Sequence, residues 1–384
     1  MFREAIIIAG GFGTRLRHIV NDVPKPMAPV CGRPFLRYIL DYLAESKFSR
    51  IVIADGYKRE HIEAYFGCCY RGMEILYSSE DSPLLTGGAV KKALLNCNSE
   101  WVYVLNGDTF LEANFDAFEE YLDNIKESAE VIIASKEMHN FERYGTLQVL
   151  ESGEIVGFLE KEQCEAGVIN AGIYLIKKSA LDGMSKVFSL EKDYFALASS
   201  RHRAFSVPCN GVFIDIGIPE DYKEAQSLLA PFKRKWKLAL FDRDGTINVD
   251  TGHLYEPEKL LLIPGGVELL RYYSSQANYK IVVVTNQAGI AKGLYDVSDM
   301  HQLHRVLNQR LAKEGCRIDA YYYCPHHPDI TGNCECRKPR PGMIKKAIFD
   351  FEADPTECVL FGDKESDIEA ADAAGIKGFL VNWF

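Results

Sequence analysis

The stretch EAIIIAGGFGTRLRHIVNDVPKPM, residues 4–27, opens with a short apolar run that stops at glycines. A run of that length, closed by a turn signal, reads as a short strand leading into the glycines. Gly10, Gly11 and Gly13 let the backbone approach an anion closely and turn N–H groups toward it. Arg15 can fork onto phosphate oxygens, and Lys25 adds a point charge. The loop has neither the Gly-Lys-Ser/Thr ending of a P-loop nor the spacing of a dinucleotide fingerprint. A tight turn alone would explain the glycines. The whole string, with Thr14, Arg15 and Pro24-Lys25-Pro26, is a much more specific signal for a phosphate-binding loop.

Outward from this stretch the same rhythm continues. EAIIIAG precedes PFLRYILDYLAESK, RIVIAD precedes KREHIEAYF, and WVYVLNGD precedes FDAFEEYLDNIK. Alternating strands and helices predict an α/β fold on a mostly parallel sheet. Short strands dominate residues 130–176, which predicts a partly antiparallel flank. PEDYKEAQSLL closes this region, a basic run follows, and KLALFD starts a new α/β series. The chain has 384 residues, 47% hydrophobic and 26% charged. A single core stops growing near ~250–300 residues, so two domains are expected. Their expected extents are residues 1–230 and 238–384, joined by a basic linker over 231–237.

The net charge is −10 and no broad region is basic, which argues against a nucleic-acid partner. No apolar stretch is long enough to span a membrane, and the N-terminus lacks the plan of a signal peptide. A cytoplasmic location is therefore expected. Thiols stay reduced there, so the eleven cysteines are not read as a disulfide framework.

In LALFDRDGTIN, Asp242 and Asp244 stand at the end of a buried strand, where α/β folds bind ligands. One carboxylate can attack as a nucleophile while the other handles a proton. A lone DxD is weak evidence. KIVVVTNQAGI adds Thr285 and Asn286, RKPRPGM adds Lys338, and VLFGDKESD adds Asp363 and Asp367. In CPHHPDITGNCECRKPRPG, Cys324, His326, Cys334 and Cys336 form a CxH…CxC pattern. Three thiolates and an imidazole suit a closed, tetrahedral, structural zinc site. His327 is the rival ligand.

Residues 3–230 resemble the sugar-phosphate nucleotidyltransferase family, which joins a nucleoside triphosphate to a sugar 1-phosphate. The resemblance implies that Arg15 and Lys25 stabilise charge on the triphosphate. It places the base at LLTGGAV, with Gly87 and Gly88 leaving room for the ring. It makes Asp108 and Asp215 the magnesium ligands, Lys161 the holder of the sugar phosphate, and Asn170 and Gly172 sugar contacts. Residues 237–384 resemble the haloacid dehalogenase superfamily. That match implies that Asp242 forms an aspartyl-phosphate and that Asp244 protonates the leaving oxygen and then activates water. Thr285 and Lys338 would hold the phosphoryl oxygens, and Mg²⁺ would sit between Asp242, the Asp244 carbonyl and Asp363. Only about forty residues separate the first two motifs, which leaves no room for a large cap.

The zinc loop, with GHLYEPEKLLLIPGGVELL and TNQAGIAKGLY, resembles the heptose bisphosphate phosphatases. Within that branch Arg337 would contact the distal anomeric phosphate, and Lys292 stands where an arginine is more usual. The first half is similar to the heptose 1-phosphate guanylyltransferases. Together the resemblances imply a bifunctional enzyme: removal of the 7-phosphate from D-glycero-D-manno-heptose 1,7-bisphosphate, then transfer of GMP from GTP to heptose 1-phosphate. A histidinol-phosphate-type phosphatase fused to a transferase of other sugar or base specificity is the alternative. A scaffold with a degenerate transferase is a rival of another class, but it would have lost Arg15, Lys25, Asp108 or Asp215. The expected partners are GTP and heptose phosphates, with neither nucleic acid nor membrane; homo-oligomerisation stays open.

Overall fold

The computed structural model describes residues 3–11, 16, 20, 22–80, 82–142, 144–159 and 164–383. The chain divides into two compact units, the first ending at Lys233 and the second starting at Arg234.

In the first unit the apolar run forms the strand Arg3–Ile8. It lies between Phe48–Ala54 and Trp101–Asn106, parallel to both. Met73–Tyr77 extends the parallel part. The predicted antiparallel flank is present. Cys164–Lys177 runs antiparallel to both Trp101–Asn106 and Val131–Phe141, giving a mixed ten-stranded sheet. Side chains alternate between faces along each strand. Ala5, Ile7, Ile51 and Ile53 pack under the helices Phe35–Glu45 and Phe115–Ile125. Ile6, Val52 and Val104 pack on the opposite face against the helix Leu85–Ala93. Both faces are covered, so these strands read as unbroken apolar runs.

The unit closes on its own early loop. Phe232 packs edge-on against Phe110, and Lys233 Nζ donates to the Cys31 carbonyl at 3.0 Å. The residues expected to form a linker therefore divide. Ala230–Phe232 is a 3-10 turn of the first unit, and Lys237 already begins the strand Lys237–Phe241 of the second.

The second unit is a five-stranded, fully parallel sheet. In spatial order its strands are Ala320–Cys324, Tyr279–Asn286, Lys237–Phe241, Val359–Gly362 and Lys377–Leu380. Residues 242–263 are loop and one short 3-10 turn, so no cap domain is inserted there. No helix among the described residues is long and apolar enough to cross a membrane.

Candidate active sites

In the first unit, strand pairing assembles the carboxylates. Phe213–Asp215 pairs antiparallel with Thr109–Leu111, placing Asp215 opposite Thr109 and beside Asp108. Lys25 Nζ lies 2.5 Å from Asp108 Oδ2 and 3.6 Å from Asp215 Oδ1. The Gly217 N–H donates to Asp215 Oδ1 at 2.6 Å. Burial lifts the Asp215 carboxyl above its ordinary range; Asp108 pushes the same way, while Lys25 opposes. A cavity of about 360 Å³ lies beside this triad, with Gly11, Lys25, Thr86, Asn106, Asp108 and Glu191 in its wall. A second cavity of about 730 Å³ shares Asp215 and is strongly acidic, with Glu142, Glu165, Asp221 and Glu224.

Several expected residues also have packing or hydrogen-bonding roles within the unit. Gly87 and Gly88 are buried, and a Cβ on them would stand 2.2 Å from the Phe188 ring and 2.3 Å from the Lys186 carbonyl oxygen respectively. Their bare backbone seats the helix on residues 186–188, and Thr86 faces the cavity instead. Asn170 accepts from the Gly172 N–H at 3.0 Å and donates to Tyr174 OH at 3.2 Å. Gly172 has φ +80 and lies against Asn106. Neither residue lines the two cavities. Gly10 faces Asp55 and Glu80, with Glu80 Oε1 3.6 Å from where its Cβ would be. Gly13, Thr14, Arg15 and Lys161 lie outside the described residues. Sequence reasoning did not single out Thr86 and Asn106, although they lie within the quoted stretches LLTGGAV and WVYVLNGD.

In the second unit, three strand ends converge. Asp242 follows Lys237–Phe241, Thr285 lies within Tyr279–Asn286, and Asp363 follows Val359–Gly362. Asp242, Asp363 and Asp367 each bring a carboxylate oxygen within 4.8 Å of the others. Lys338 Nζ lies 2.8 Å from Asp242 Oδ1 and 2.5 Å from Asp367 Oδ1, and donates to the Val284 carbonyl. Burial pushes the Asp242 carboxyl up to about 6, Lys338 pulls it down, and Asp367 and Asp244 add to the rise. Burial also raises the Asp363 carboxyl, and its Oδ1 has no hydrogen-bond partner. Gly245, at φ +86, admits Asp363: a Cβ there would be 2.2 Å from Asp363 Oδ2.

Asp244 accepts four hydrogen bonds. Arg243 Nε and Nη2 donate at 3.1 and 2.8 Å, Asn248 Nδ2 at 2.9 Å, and Gln287 Nε2 at 3.2 Å. Arg243 is fully buried and also meets His304 Nε2. The cavity here, about 400 Å³, includes Asp242, Asp244, Thr285, Arg337, Lys338 and Lys364. Asn286 lines it too, but its amide exchanges hydrogen bonds with the Lys338 backbone, each at 3.1 Å. Lys292 Nζ meets His253 Nε2 at 3.2 Å, and His253 is also in the wall.

The cysteine loop closes next to this site. Cys324, Cys334 and Cys336 have sulfurs 3.2 to 3.5 Å apart, and His326 Nδ1 lies 3.3 Å from Cys336 and 3.7 Å from Cys324. All eleven cysteines are free thiols. A tetrahedron with metal–sulfur bonds of about 2.3 Å has edges of about 3.7 Å, close to these spacings. The four residues thus form a group able to hold a metal ion. His327 is outside it: its Nδ1 accepts from Asp329 N and caps the Pro328–Thr331 turn.

Comparisons with known proteins agree with this two-part geometry. Residues 4–230 match the nucleotidyl transferase family model, and residues 335–382 match a HAD-hydrolase-like model. The first part is 42% identical over 229 residues to D-glycero-alpha-D-manno-heptose 1-phosphate guanylyltransferase of Aneurinibacillus thermoaerophilus, covering 59% of this chain and 98% of that protein. The second is 40% identical over 150 residues to D-glycero-beta-D-manno-heptose-1,7-bisphosphate 7-phosphatase of Pasteurella multocida, covering 38% of this chain and 81% of that protein. The crystal structure of HddC from Yersinia pseudotuberculosis complexed with GMP-PN is 30% identical with a TM-score of 0.53, covering 61% of this chain and 100% of that one. With one carboxylate site in each unit and a match of this extent on each side, the chain belongs to the nucleotidyltransferase family through its first unit and to the heptose-bisphosphate phosphatases of the HAD-like hydrolases through its second.

Proposed function

We propose that the chain makes GDP-D-glycero-α-D-manno-heptose in two steps. The second unit hydrolyses the 7-phosphate of D-glycero-α-D-manno-heptose 1,7-bisphosphate. The first unit then joins the product to GMP from GTP, releasing pyrophosphate. The observation that carries this reading is the shared sugar: relatives of the two units are named for consecutive states of one heptose phosphate. Their names differ in the anomer, alpha for the transferase and beta for the phosphatase. Hydrolysis at C7 leaves C1 untouched, so a transferase for the α-phosphate needs an α-configured bisphosphate upstream. The reading therefore departs from the phosphatase relatives at that carbon.

In the phosphatase unit, an Asp242 oxygen bonds to phosphorus while the bond from phosphorus to the sugar oxygen breaks. Asp244 gives that oxygen its proton, then takes one from the water that cleaves the aspartyl-phosphate and frees phosphate. Thr285 and Lys338 hold the phosphoryl oxygens, and Arg337 faces the distal phosphate. Asp242, Asp363 and the Asp244 carbonyl fit Mg²⁺, because these are hard oxygen donors and Asp363 Oδ1 is buried without a partner. When bound, the ion offsets charge on the phosphoryl group. Zn²⁺ fits the Cys324–His326–Cys334–Cys336 tetrahedron as a structural ion.

In the transferase unit, a sugar-phosphate oxygen attacks the α-phosphorus and the bond to pyrophosphate breaks. Asp108 and Asp215 converge on one ammonium, so their pairing suits a cation, and Mg²⁺ there would offset the meeting of two anions. Lys25, a mobile point charge beside these aspartates, would stabilise charge on the triphosphate. Arg15, Gly10, Gly11, Gly13 and Thr14 hold the triphosphate, and Lys161 the sugar phosphate. Glu80, beside Gly10, supplies the acceptor that the N1–H and 2-amino group of guanine require.

The test is to incubate the protein and Mg²⁺ with the α- or β-bisphosphate and each nucleoside triphosphate, and to identify products by mass. GDP-heptose from the α-bisphosphate and GTP is expected. Phosphate release from the β-anomer only, or faster release from histidinol phosphate, would overturn the reading.

A further inference from the structure

We propose that Gln287 is a positioning residue of the phosphatase, one amide that aims the phosphate-binding hydroxyl and the acid–base carboxylate together. The inference rests on the phosphatase reading of the second unit. Gln287 is 2% exposed. Its Nε2 donates to Thr285 Oγ1 at 2.7 Å and to Asp244 Oδ2 at 3.2 Å. An amide nitrogen has two protons, and both are used here. Thr285 Oγ1 accepts one, so its own proton is left to point at a phosphoryl oxygen. Asp244 Oδ2 accepts the other, which fixes the carboxylate relative to that hydroxyl.

The amide itself is held from behind. Tyr295 OH donates to Gln287 Oε1 at 2.6 Å. A flipped amide would set its oxygen against Asp244 Oδ2, acceptor to acceptor. Tyr295 is buried in turn, stacked on Tyr255 at 5.1 Å, and burial pushes its phenol up to about 12, so the hydroxyl keeps its proton. Gly289 makes this possible, since a Cβ there would stand 2.1 Å from the Tyr295 ring. The Gln287 backbone N–H donates to the Cys324 carbonyl at 2.8 Å, tying the amide's strand end to the cysteine loop. Tyr255, Tyr295 and Gln287 thus form a brace from the loop over the site to its two working groups.

Gln287→Met keeps length and apolar bulk and removes both donors. Its kcat on the sugar bisphosphate should fall about 10- to 100-fold, below the ~10²–10⁴-fold contribution of a proton-transfer group itself. KM should change less than about threefold, because the lost bonds act on bound substrate during reaction. p-Nitrophenyl phosphate has a leaving group that needs no proton. Its burst of nitrophenol, which reports formation of the aspartyl-phosphate before Asp244 acts as base on water, should fall at least about fivefold less, because in that step only the Thr285 share of the effect remains. Tyr295→Phe keeps the ring stack and should reproduce part of the same split. It also serves if Gln287→Met does not fold, which the melting transition of the second unit and bound metal content report. Equal losses on both substrates, a change confined to KM, or unchanged kcat in both variants would overturn the proposal. Phosphate release surviving in Asp242→Asn, or absent from the wild-type chain, would instead remove the phosphatase reading beneath it.

Discussion

Asp242 sits among opposed forces. Burial pushes its carboxyl up to about 6, against an attractive Lys338 and two repulsive carboxylates. A carboxyl raised in the folded state favours the protonated form, so its contribution to stability is full below its ordinary 3.8 and is lost as pH climbs through 6. Mg²⁺ binds the ionised form. In metal-free protein, added Mg²⁺ should therefore raise the second unit's melting midpoint more at pH 7 than at pH 5; equal gains would show that another group titrates. Asp242→Asn should abolish phosphate release and leave GDP-heptose formation from supplied heptose 1-phosphate unchanged. Asp108→Ala should do the reverse, and retained transfer would exclude it from the metal pair. Glu80→Gln should cost GTP use far more than it costs stability, measured as kcat/KM beside the melting midpoint. Strand-end aspartates were legible in the sequence because each ends an apolar run. The packing roles of Gly87 and Gly88 were not, because Phe188 meets them only through folding.

At the scale of elements, the turn after Lys237–Phe241 and the cysteine loop set the second site. Gly245 combines positive φ with a close approach to Asp363. Gly245→Ala should destabilise the unit by more than about 1 kcal/mol and lower phosphatase activity, read by thermal melting and phosphate release. The cysteine loop is joined to the site by the Asn286–Lys338 backbone exchange and by the Arg337 Nη1 bond to the His326 carbonyl at 3.3 Å. Cys334→Ser should lose the bound ion, with about one zinc per chain expected in the parent protein. It should also lower phosphatase turnover; a full activity with no zinc in either protein would end the zinc assignment. The CxH…CxC spacing was readable because four ligands lie within one loop. The Gln287 brace was not, since an amide carries no chemical signature until its partners are placed.

For the whole molecule, we propose that the functional boundary falls at Lys233 and Arg234, where the two compact units meet in sequence. Separately expressed residues 1–233 and 234–384 should each keep one activity, assayed on heptose 1-phosphate with GTP and on the bisphosphate. Loss of transfer from the first piece would show that it needs the second. The two-unit α/β plan was legible because the central parallel strands of each sheet are buried and stay apolar along most of their length. The exact linker was not: a basic run looks solvated in sequence, yet Lys233 is spent on the Cys31 carbonyl. The Cys324–His326–Cys334–Cys336 cluster has a practical consequence at this scale. With zinc held there as proposed, a chelator such as phenanthroline, carried through purification, would cripple one catalyst and spare its covalent neighbour. A preparation so treated would pass every assay for sugar-nucleotide formation that starts from the monophosphate, and fail only when fed the compound one step earlier.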